Sequence, residues 1–196
     1  MLLFDLGKVV LSYDQEATMK KLAGSLNPLT ALLIFAKKDE FMAEFKRDTE
    51  LLETGRMNMT QFFLRLKGKT GLDLTEEKFM EIWQSGYEYY ADALAKVAAL
   101  SVKEACAVAA NLSEAQENIL RERADFAPFT GWACSWKLGI LRNSKEFFLK
   151  AAETLGVSPS ECTYIDDREE NLKFASEAGM KTLLYTSPSD LDKLGL

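Results

Sequence analysis

The first ten residues decide the fold, and they read Met1-Leu2-Leu3-Phe4-Asp5-Leu6-Gly7-Lys8-Val9-Val10. A short apolar run that ends in an acid and a glycine is typical of a buried strand that delivers one carboxylate to a turn. One Asp after an apolar run proves little, because acids often cap turns and helices. The stretch therefore predicts a strand that ends at Asp5, and the role of this acid depends on what the rest of the chain places beside it.

A second apolar run, residues 162–165, stops at the paired acids Asp166 and Asp167 near the other end of the chain. In a wound α/β sheet, strands distant in sequence can be neighbours, and their carboxyl ends form the edge where ligands bind. We therefore expect Asp5, Asp166 and Asp167 to meet at that edge. Three clustered carboxylates repel one another unless a cation binds, and oxygen ligands suit Mg²⁺. The alternative is that Asp166 and Asp167 only cap the helix that begins near Arg168.

Both stretches resemble motifs of the haloacid dehalogenase-like (HAD) hydrolases, in the branch with Phe-Asp-Leu-Gly-x-Val as its first motif and Asp-Asp-x-x-x-Asn as its fourth. The matching residues are Phe4-Asp5-Leu6-Gly7-Lys8-Val9 and Asp166-Asp167-Arg168-Glu169-Glu170-Asn171. The resemblance runs over nearly the whole chain. It implies an α/β fold with a wound parallel, Rossmann-like sheet and an all-helical cap inserted after the first strand.

The resemblance also implies separate roles for the residues of these two motifs. Asp5 would be the catalytic nucleophile and would form an aspartyl-phosphate that water later hydrolyses. Asp5, the backbone carbonyl of Gly7 and Asp167 would hold Mg²⁺ as the cofactor. Asp166 would complete or support that metal site, and Asn171 would orient the metal ligands.

The two middle motifs of the family are eroded in this chain. The second motif normally ends its strand with Ser or Thr, and Ala110 stands at that position when the chain is aligned on Asn111. Ser113 lies nearby and is a candidate replacement, although capping a helix is the simpler role for it. Arg142 replaces the Lys of the third motif; it keeps the charge but not the shape, and it is the second candidate catalytic residue. Asn111, Ser113 and Lys8 are the candidate contacts to substrate.

Gly7 marks a further departure from the wider superfamily. Most of its phosphatases carry a second Asp two residues after the nucleophile as general acid and base, and losing such a group typically lowers the rate about 10²–10⁴-fold. The branch resembled here has Gly at that position. We therefore expect a leaving group that needs little protonation, such as that of an anomeric sugar phosphate or an acyl phosphate.

The chain divides into two regions of different character. Residues 12–90 show no strand pattern, and helices are predicted to begin near Ala31, Thr60 and Thr75, the first of them continuing to Phe45. From residue 91 onward, short apolar strands alternate with helices at the spacing of an α/β fold. The predicted organisation is therefore a core domain of residues 1–11 and 91–196 and a helical cap domain of residues 12–90.

The composition excludes several classes of function. The 196 residues include no histidine, which excludes Ser-His-Asp triads and His-ligated zinc. A net charge of −6 argues against nucleic acid as a partner. The three cysteines lie far apart in apolar runs, which indicates a reducing, cytoplasmic location, and no apolar run is long enough to span a membrane. The sequence leaves open whether the protein is a monomer or a homodimer.

These observations support one leading hypothesis and two alternatives. The leading hypothesis is a magnesium-dependent phosphatase of a small phosphorylated metabolite, with a sugar phosphate as the first candidate. A catalytically weak or inactive relative that binds a ligand or a partner is the main alternative, favoured by the eroded motifs. A 2-haloacid dehalogenase is the third; such enzymes need no magnesium and typically read Asp-x-Tyr-Gly-Thr, which residues 5–9 do not match.

Overall fold

The computed structural model describes residues 1–195, which form two sheets. The strands are β1 (Leu2–Phe4), β2 (Leu11–Tyr13), β3 (Tyr87–Tyr89), β4 (Cys106–Ala110), β5 (Phe129–Cys134), β6 (Thr163–Asp166) and β7 (Lys181–Leu184). Five of them form a parallel sheet in the order β5-β4-β1-β6-β7, whereas β2 and β3 form an antiparallel pair. This strand order confirms the predicted wound α/β class and puts β1 at the centre of the sheet.

The helices are α1 (Gln15–Ala23), α2 (Pro28–Ala36), α3 (Lys38–Glu53), α4 (Met59–Thr70), α5 (Glu76–Gln84), α6 (Ala91–Ser101), α7 (Glu114–Arg121), α8 (Ser135–Leu138), α9 (Lys145–Thr154) and α10 (Glu169–Glu177). Short 3₁₀ turns lie at Ala124–Phe126, Pro159–Glu161 and Pro188–Leu194. Helices α1 to α5 lie between β2 and β3. The remaining helices alternate with the strands of the parallel sheet, as the apolar pattern predicted.

The packing of β1 explains why Asp5 stands at the carboxyl edge of the sheet. Leu2 and Phe4 belong to a hydrophobic core on one face of the sheet, and Leu3 belongs to the core on the other face. A strand covered on both faces must be apolar throughout, which accounts for the uninterrupted run at the start of the chain. The backbone N–H of Asp5 donates to the carbonyl of Ile165 at 2.9 Å. Asp5 therefore directly follows the central strand and remains tied to its neighbour β6.

The inserted helices bury their apolar faces against one another in a third core. Its largest members are Phe45, Phe62, Phe63, Phe79 and Trp83. The expectation that residues 12–90 hold no strand is wrong at both ends, where Tyr13 of β2 pairs with Tyr87 of β3. Two strands of three residues are too short for an alternating pattern to show in the sequence. The division at residues 12 and 90 stays a prediction; β2 lies across the first boundary, and β3 ends just before the second.

The helices of the insert begin and end partly where the sequence predicts. Thr75 caps α5 through a hydrogen bond to the N–H of Lys78, as expected. The helix predicted from Ala31 to Phe45 is two helices, because the backbone leaves the helical region at Lys37. Asn58, and not Thr60, caps α4, since Asn58 forms a reciprocal capping box with Gln61.

Helix α2 is the most exposed apolar element. Its outward side chains are Leu29, Leu32, Leu33 and Phe35, each more than half exposed. With nine residues it is far shorter than the bilayer core requires. Over residues 1–195, no helix combines the length and the hydropathy that crossing a membrane demands.

Candidate active site

Three carboxylates converge at the carboxyl edge of the parallel sheet. Asp5 follows β1, while Asp166 ends the adjacent strand β6 and Asp167 follows it. One oxygen of each carboxylate lies within 4.8 Å of the others. Asp5 and Asp166 are buried and Asp167 is half-buried. The convergence expected from the two strand ends is therefore present.

Arg142 lies inside this cluster of acids. Its Nη1 forms an ion pair with Asp5 Oδ1 and lies 3.0 Å from Asp166 Oδ2. The same nitrogen donates to the hydroxyl of Tyr164 at 2.6 Å. The backbone N–H of Arg142 donates to Asn111 Oδ1 at 2.8 Å, so a residue that follows β4 holds the loop that carries the guanidinium. Replacing the family's Lys by Arg therefore still delivers a cation to Asp5.

Asp166 differs from the other two acids because protein donors already surround both of its oxygens. Oδ1 accepts from the N–H of Arg168 at 2.8 Å and from Asn171 Nδ2 at 3.2 Å. Oδ2 accepts from Asn171 at 3.0 Å and from the Tyr164 hydroxyl at 2.6 Å, and it faces Arg142. A carboxylate offers only about four lone-pair sites. Asp166 therefore holds the surrounding side chains in position, and few of its lone pairs remain for a metal ion.

Asp5 Oδ2 lies next to the turn at Gly7, and Asp167 is the most exposed of the three acids. A Cβ at Gly7 would lie 3.8 Å from Asp5 Oδ2, so this residue is adjacent to the free oxygen. Lys8 adopts a left-handed backbone with φ of +58°, a conformation that costs a side-chain-bearing residue some free energy. Its exposed ammonium lies 3.8 Å from Asp167 Oδ2. Lys8 is therefore the cation at the solvent side of the cluster, and Arg142 is the buried one.

The electrostatics of the cluster fit a divalent cation with oxygen ligands. Burial raises the pKa of Asp5 to about 6; Arg142 opposes the shift and the charge of Asp166 adds to it. Burial and the charge of Asp166 also raise the pKa of Asp167. Such shifts mean that one buried guanidinium and one exposed ammonium do not fully compensate three acids. Asp5 and Asp167 can hold a hard metal ion such as Mg²⁺, and Asp166 would support them.

The residues of the eroded second motif, Ala110, Asn111 and Ser113, lie at the end of β4 and the start of α7. Ala110 ends β4 and is buried. Asn111 lines the cleft between the insert and the sheet edge and anchors the Arg142 loop. Ser113 is fully buried and caps α7, with its Oγ accepting from the N–H of Gln116 at 3.3 Å. A hydroxyl without exposed surface offers nothing to a molecule in the cleft, so the candidate substrate contact is dropped for Ser113.

The lysines that flank Arg142 do not reach the acids. Lys137 Nζ donates to Glu117 Oε1 at 2.8 Å and lies over the ring of Trp136, on a different part of the core. Lys145 begins α9 and is exposed. Arg142 is therefore the cation of the third motif in this chain.

Sequence reasoning missed Tyr164, which lies in the middle of an apolar strand and has the pattern of a core residue. Its ring packs edge-on against Phe148 at 4.8 Å between centroids, whereas its hydroxyl joins Arg142 and Asp166. Burial raises the pKa of Tyr164 against the opposing charge of Arg142, and the charges of Asp5 and Asp166 add to the shift, so the hydroxyl stays protonated. No sequence signal distinguishes such a tyrosine from one that only fills space.

Glu53 was also missed, because the stretch Glu53-Thr54-Gly55 has the pattern of a break between helices. Glu53 ends α3, and its carbonyl accepts from Ser135 Oγ at 2.6 Å, which links the insert to the core. Gly55 has φ of +68°, and a Cβ there would lie 2.4 Å from the carbonyl oxygen of Trp136. The side chain of Glu53 lines the cleft between the insert and the sheet edge.

That cleft has a volume of about 920 Å³. On the insert side its wall combines the large apolar side chains of Met19, Met42, Phe45 and Trp83 with polar ones such as Lys46 and Glu50. On the sheet side it is polar, with Asn111, Gln116, Asn143 and Arg168. Two polar atoms in this wall, Tyr13 Oη and Trp83 Nε1, are buried and find no hydrogen-bond partner within residues 1–195. The space can hold an organic molecule larger than a phosphate ion.

Comparisons with known proteins agree with this architecture. Flavin mononucleotide hydrolase 1 of Arabidopsis thaliana is 30% identical over 124 residues, which cover 63% of this chain and 51% of that protein. The chain thus spans about half the length of this curated relative. A HAD family enzyme from Bacteroides thetaiotaomicron has a TM-score of 0.79 at 20% identity, covering 100% of this chain and 97% of that one.

Two further structures share the fold. The same Bacteroides enzyme in complex with magnesium and inorganic phosphate has a TM-score of 0.72 at 21% identity, over 94% of this chain and 93% of that one. A predicted HAD-like family hydrolase from Porphyromonas gingivalis has a TM-score of 0.74 at 20% identity, over 93% and 89%. Residues 2–179 match the family of haloacid dehalogenase-like hydrolases. The chain belongs to the haloacid dehalogenase-like hydrolase family.

Proposed function

We propose that the protein is a magnesium-dependent phosphatase of a small phosphorylated metabolite. The observation that carries this proposal is the convergence of Asp5 and Asp167 with Arg142 at one sheet edge, next to a cleft of about 920 Å³ that Asn111 and Arg168 line. Two relatives support it. The Arabidopsis protein is named a flavin mononucleotide hydrolase, and the Bacteroides enzyme was crystallised with magnesium and inorganic phosphate.

In this proposal Asp5 attacks the phosphorus atom, and the bond from phosphorus to the leaving oxygen breaks. Water then hydrolyses the aspartyl-phosphate and frees Asp5. Arg142 orients Asp5 through the ion pair and presents its charge to the phosphoryl oxygens. Magnesium held by Asp5, the Gly7 carbonyl and Asp167 would neutralise the phosphoryl charge.

The remaining residues of the site position this machinery or contact the substrate. Asp166 holds Arg142 in place, and Asn171 and Tyr164 fix Asp166 in turn. Lys8 offers an exposed ammonium beside Asp167, and Asn111 faces the cleft, so both stay proposed substrate contacts. A cytoplasmic location also belongs to the proposal and is supported by the free, buried state of all three cysteines.

The cleft wall bears on the class of substrate. The methionine and aromatic side chains on the insert side favour a molecule with an apolar or flat part, because such a part removes their surface from water. A flavin phosphate has this character, and the name of the Arabidopsis relative points the same way. The second candidate is an anomeric sugar phosphate, which is expected because Gly7 stands where most related phosphatases carry an acid.

The proposal is tested by measuring phosphate release from p-nitrophenyl phosphate and from a panel of metabolites, with and without magnesium. The panel includes flavin mononucleotide, an anomeric sugar phosphate and an alkyl phosphate. We expect Asp5→Asn to lower turnover by at least about 10⁴-fold, because it removes the nucleophile and keeps the side-chain shape. Asp48→Asn is the matched control, since Asp48 is also a buried acid but lies within the insert.

Activity that survives Asp5→Asn, or that is indifferent to magnesium, would contradict the proposed mechanism. A wild-type protein that binds phosphorylated molecules but hydrolyses none of them would favour the ligand-binding alternative.

A further inference from the structure

Glu53 lines the cleft between the insert and the sheet edge, together with Asn111 and Arg168, whose neighbours in the fold are Arg142 and Asp166. Glu53 ends α3, and its backbone carbonyl is tied to the buried Ser135. Within the part of the chain that the structure describes, no hydrogen bond or salt bridge engages the side chain of Glu53. The backbone of Glu53 is therefore fixed by a hydrogen bond, whereas its carboxyl group has no partner among these residues.

Three charged or titratable groups face Glu53 from the elements around it. Arg142 faces it from the loop before α9, Glu50 from its own helix, and Tyr87 from β3. Burial raises the pKa of Glu53 to about 7; Arg142 opposes the shift and Glu50 adds to it. Arg142 also forms the ion pair with Asp5, so one guanidinium faces both carboxyl groups. Glu53 therefore interacts with the same guanidinium as the proposed nucleophile, and about half of the molecules carry a proton on Glu53 at neutral pH.

The other acids of the cleft do not share these properties. Glu50 is exposed to solvent. Glu170 is exposed and paired with Arg168 at 2.8 Å. Gly7, where related phosphatases carry an acid, has no side chain to offer. Of the carboxyl groups that line the cleft, Glu53 alone is both shielded from water and unpaired among residues 1–195.

We propose that Glu53 donates the proton to the leaving oxygen and so replaces the acid that is absent at position 7. This inference rests on the proposed phosphatase function. As Asp5 bonds to phosphorus, the bond from phosphorus to the ester oxygen breaks, and that oxygen takes the proton from the Glu53 carboxyl group. The products of this step are a neutral alcohol, the aspartyl-phosphate and the Glu53 carboxylate, which regains a proton from water in the cleft.

A proton donor has a signature that a merely structural residue lacks. Alkyl phosphates have a poor leaving group and need the proton, whereas p-nitrophenolate is a stable anion and leaves without it. Glu53→Gln keeps the size of the side chain and its hydrogen-bonding capacity but cannot supply the proton. We expect this variant to lower kcat/KM for an alkyl phosphate about 10²–10⁴-fold and for p-nitrophenyl phosphate less than about 10-fold.

The experiment measures both substrates with wild type, Glu53→Gln and the matched control Glu44→Gln, after thermal unfolding has shown that each variant is folded. Glu44 lies on the same helix but outside the cleft, where it pairs with Lys69, so Glu44→Gln should leave the ratio between the two substrates unchanged. For the wild type, kcat/KM for the alkyl phosphate should fall as the pH rises above about 7, because Glu53 loses its proton. Glu53→Gln should show no such fall. Glu53→Asp, which keeps a carboxyl group on a shorter stem, should recover part of the activity toward the alkyl phosphate.

Equal losses of activity on both substrates would overturn the proton-donor role. The role would also be overturned if the wild-type protein hydrolysed p-nitrophenyl phosphate with magnesium but no alkyl phosphate, although the proposed phosphatase function would then stand. If Asp5→Asn lost all activity but Glu53→Gln kept the wild-type ratio of kcat/KM between the two substrates, the proton-donor role would be overturned and the phosphatase function would stand.

Discussion

Helix α3 carries two acids that are largely shielded from water, one paired with cations and one unpaired. Asp48 and Glu53 are five residues apart, which is about 140° around the helix, so they face different sides. Asp48 faces α4, where Arg65 and Lys69 contact its two oxygens at 2.9 and 3.0 Å. Glu53 faces the cleft and is unpaired within residues 1–195. The same chemical group thus serves as a structural anchor on one side of the helix and remains available on the other.

The pKa values of the two acids have moved in opposite directions. Burial alone raises the pKa of Asp48, but hydrogen bonds from Arg65 and Lys69 outweigh burial and hold it below its ordinary value. Burial raises the pKa of Glu53 to about 7, because Arg142 is too weakly engaged to compensate. Burial by itself therefore says little about the role of an acid, and the supply of cations decides whether the acid stabilises the fold or stays reactive.

The largest expected effect concerns the cations that face the two acids. Arg142→Ala should lower turnover of p-nitrophenyl phosphate about 10²–10³-fold, because it removes a fixed donor from the phosphoryl oxygens and releases Asp5. Steady-state kinetics with saturating magnesium measure this loss. Arg65→Ala, which removes the corresponding cation beside Asp48, should leave turnover unchanged. Equal turnover in the two variants would show that Arg142 is no more involved in the chemistry than Arg65.

The next effect concerns the stability of the protein at different pH values. The pKa of Glu53 is higher in the folded state than its ordinary value of 4.5, so ionisation above that value costs stability as the pH rises toward 7. Glu53→Gln does not titrate. Relative to wild type, it should gain up to about 3 kcal/mol of unfolding free energy between pH 4.5 and pH 8. Urea unfolding at several pH values measures the difference, and a flat difference across this range would contradict the raised pKa.

The smallest expected effect has the opposite sign. Asp48→Asn should lower the unfolding free energy by about 1–2 kcal/mol at neutral pH, because two charge-assisted hydrogen bonds are weakened and their cations are partly exposed. The pKa of Asp48 is depressed in the folded state, so its contribution is present above the ordinary value of 3.8 and disappears as the pH falls below it. Urea unfolding at pH 7 and near pH 3 checks both statements. A destabilisation that persists unchanged at the lower pH would point to packing as its cause.

The parts of the site that follow strand ends were predictable from the sequence. Asp5, Asp166 and Asp167 each stop an apolar run, and parallel strands bring their carboxyl ends to one edge. Arg142 was found by its position in an eroded motif, and its contact with Asp5 agrees with that alignment. The fold class was accessible for the same reason, since alternation of apolar runs and helices specifies a wound sheet.

The parts that depend on distant contacts were not predictable. Tyr164 and Glu53 have ordinary local patterns, and only the three-dimensional arrangement places Tyr164 beside Arg142 and Glu53 in the wall of the cleft. For Ser113 the sequence favoured a helix cap and left a substrate contact open, and the fold shows the cap with the hydroxyl fully buried. The saturation of Asp166 by four different donor groups likewise depends on strands and loops that meet only in the folded chain.

The turn after α3 also limits how this protein can vary in evolution. Gly55 has a left-handed backbone, and a side chain there would collide with the carbonyl of Trp136 in the core. Any replacement must push the turn away from the core, and Glu53, two residues earlier, would move with it. A change at this solvent-facing glycine would therefore reposition a group in the cleft without touching the cleft itself. Mutational tolerance at position 55 is set by the geometry of the core, although the residue belongs to the inserted region.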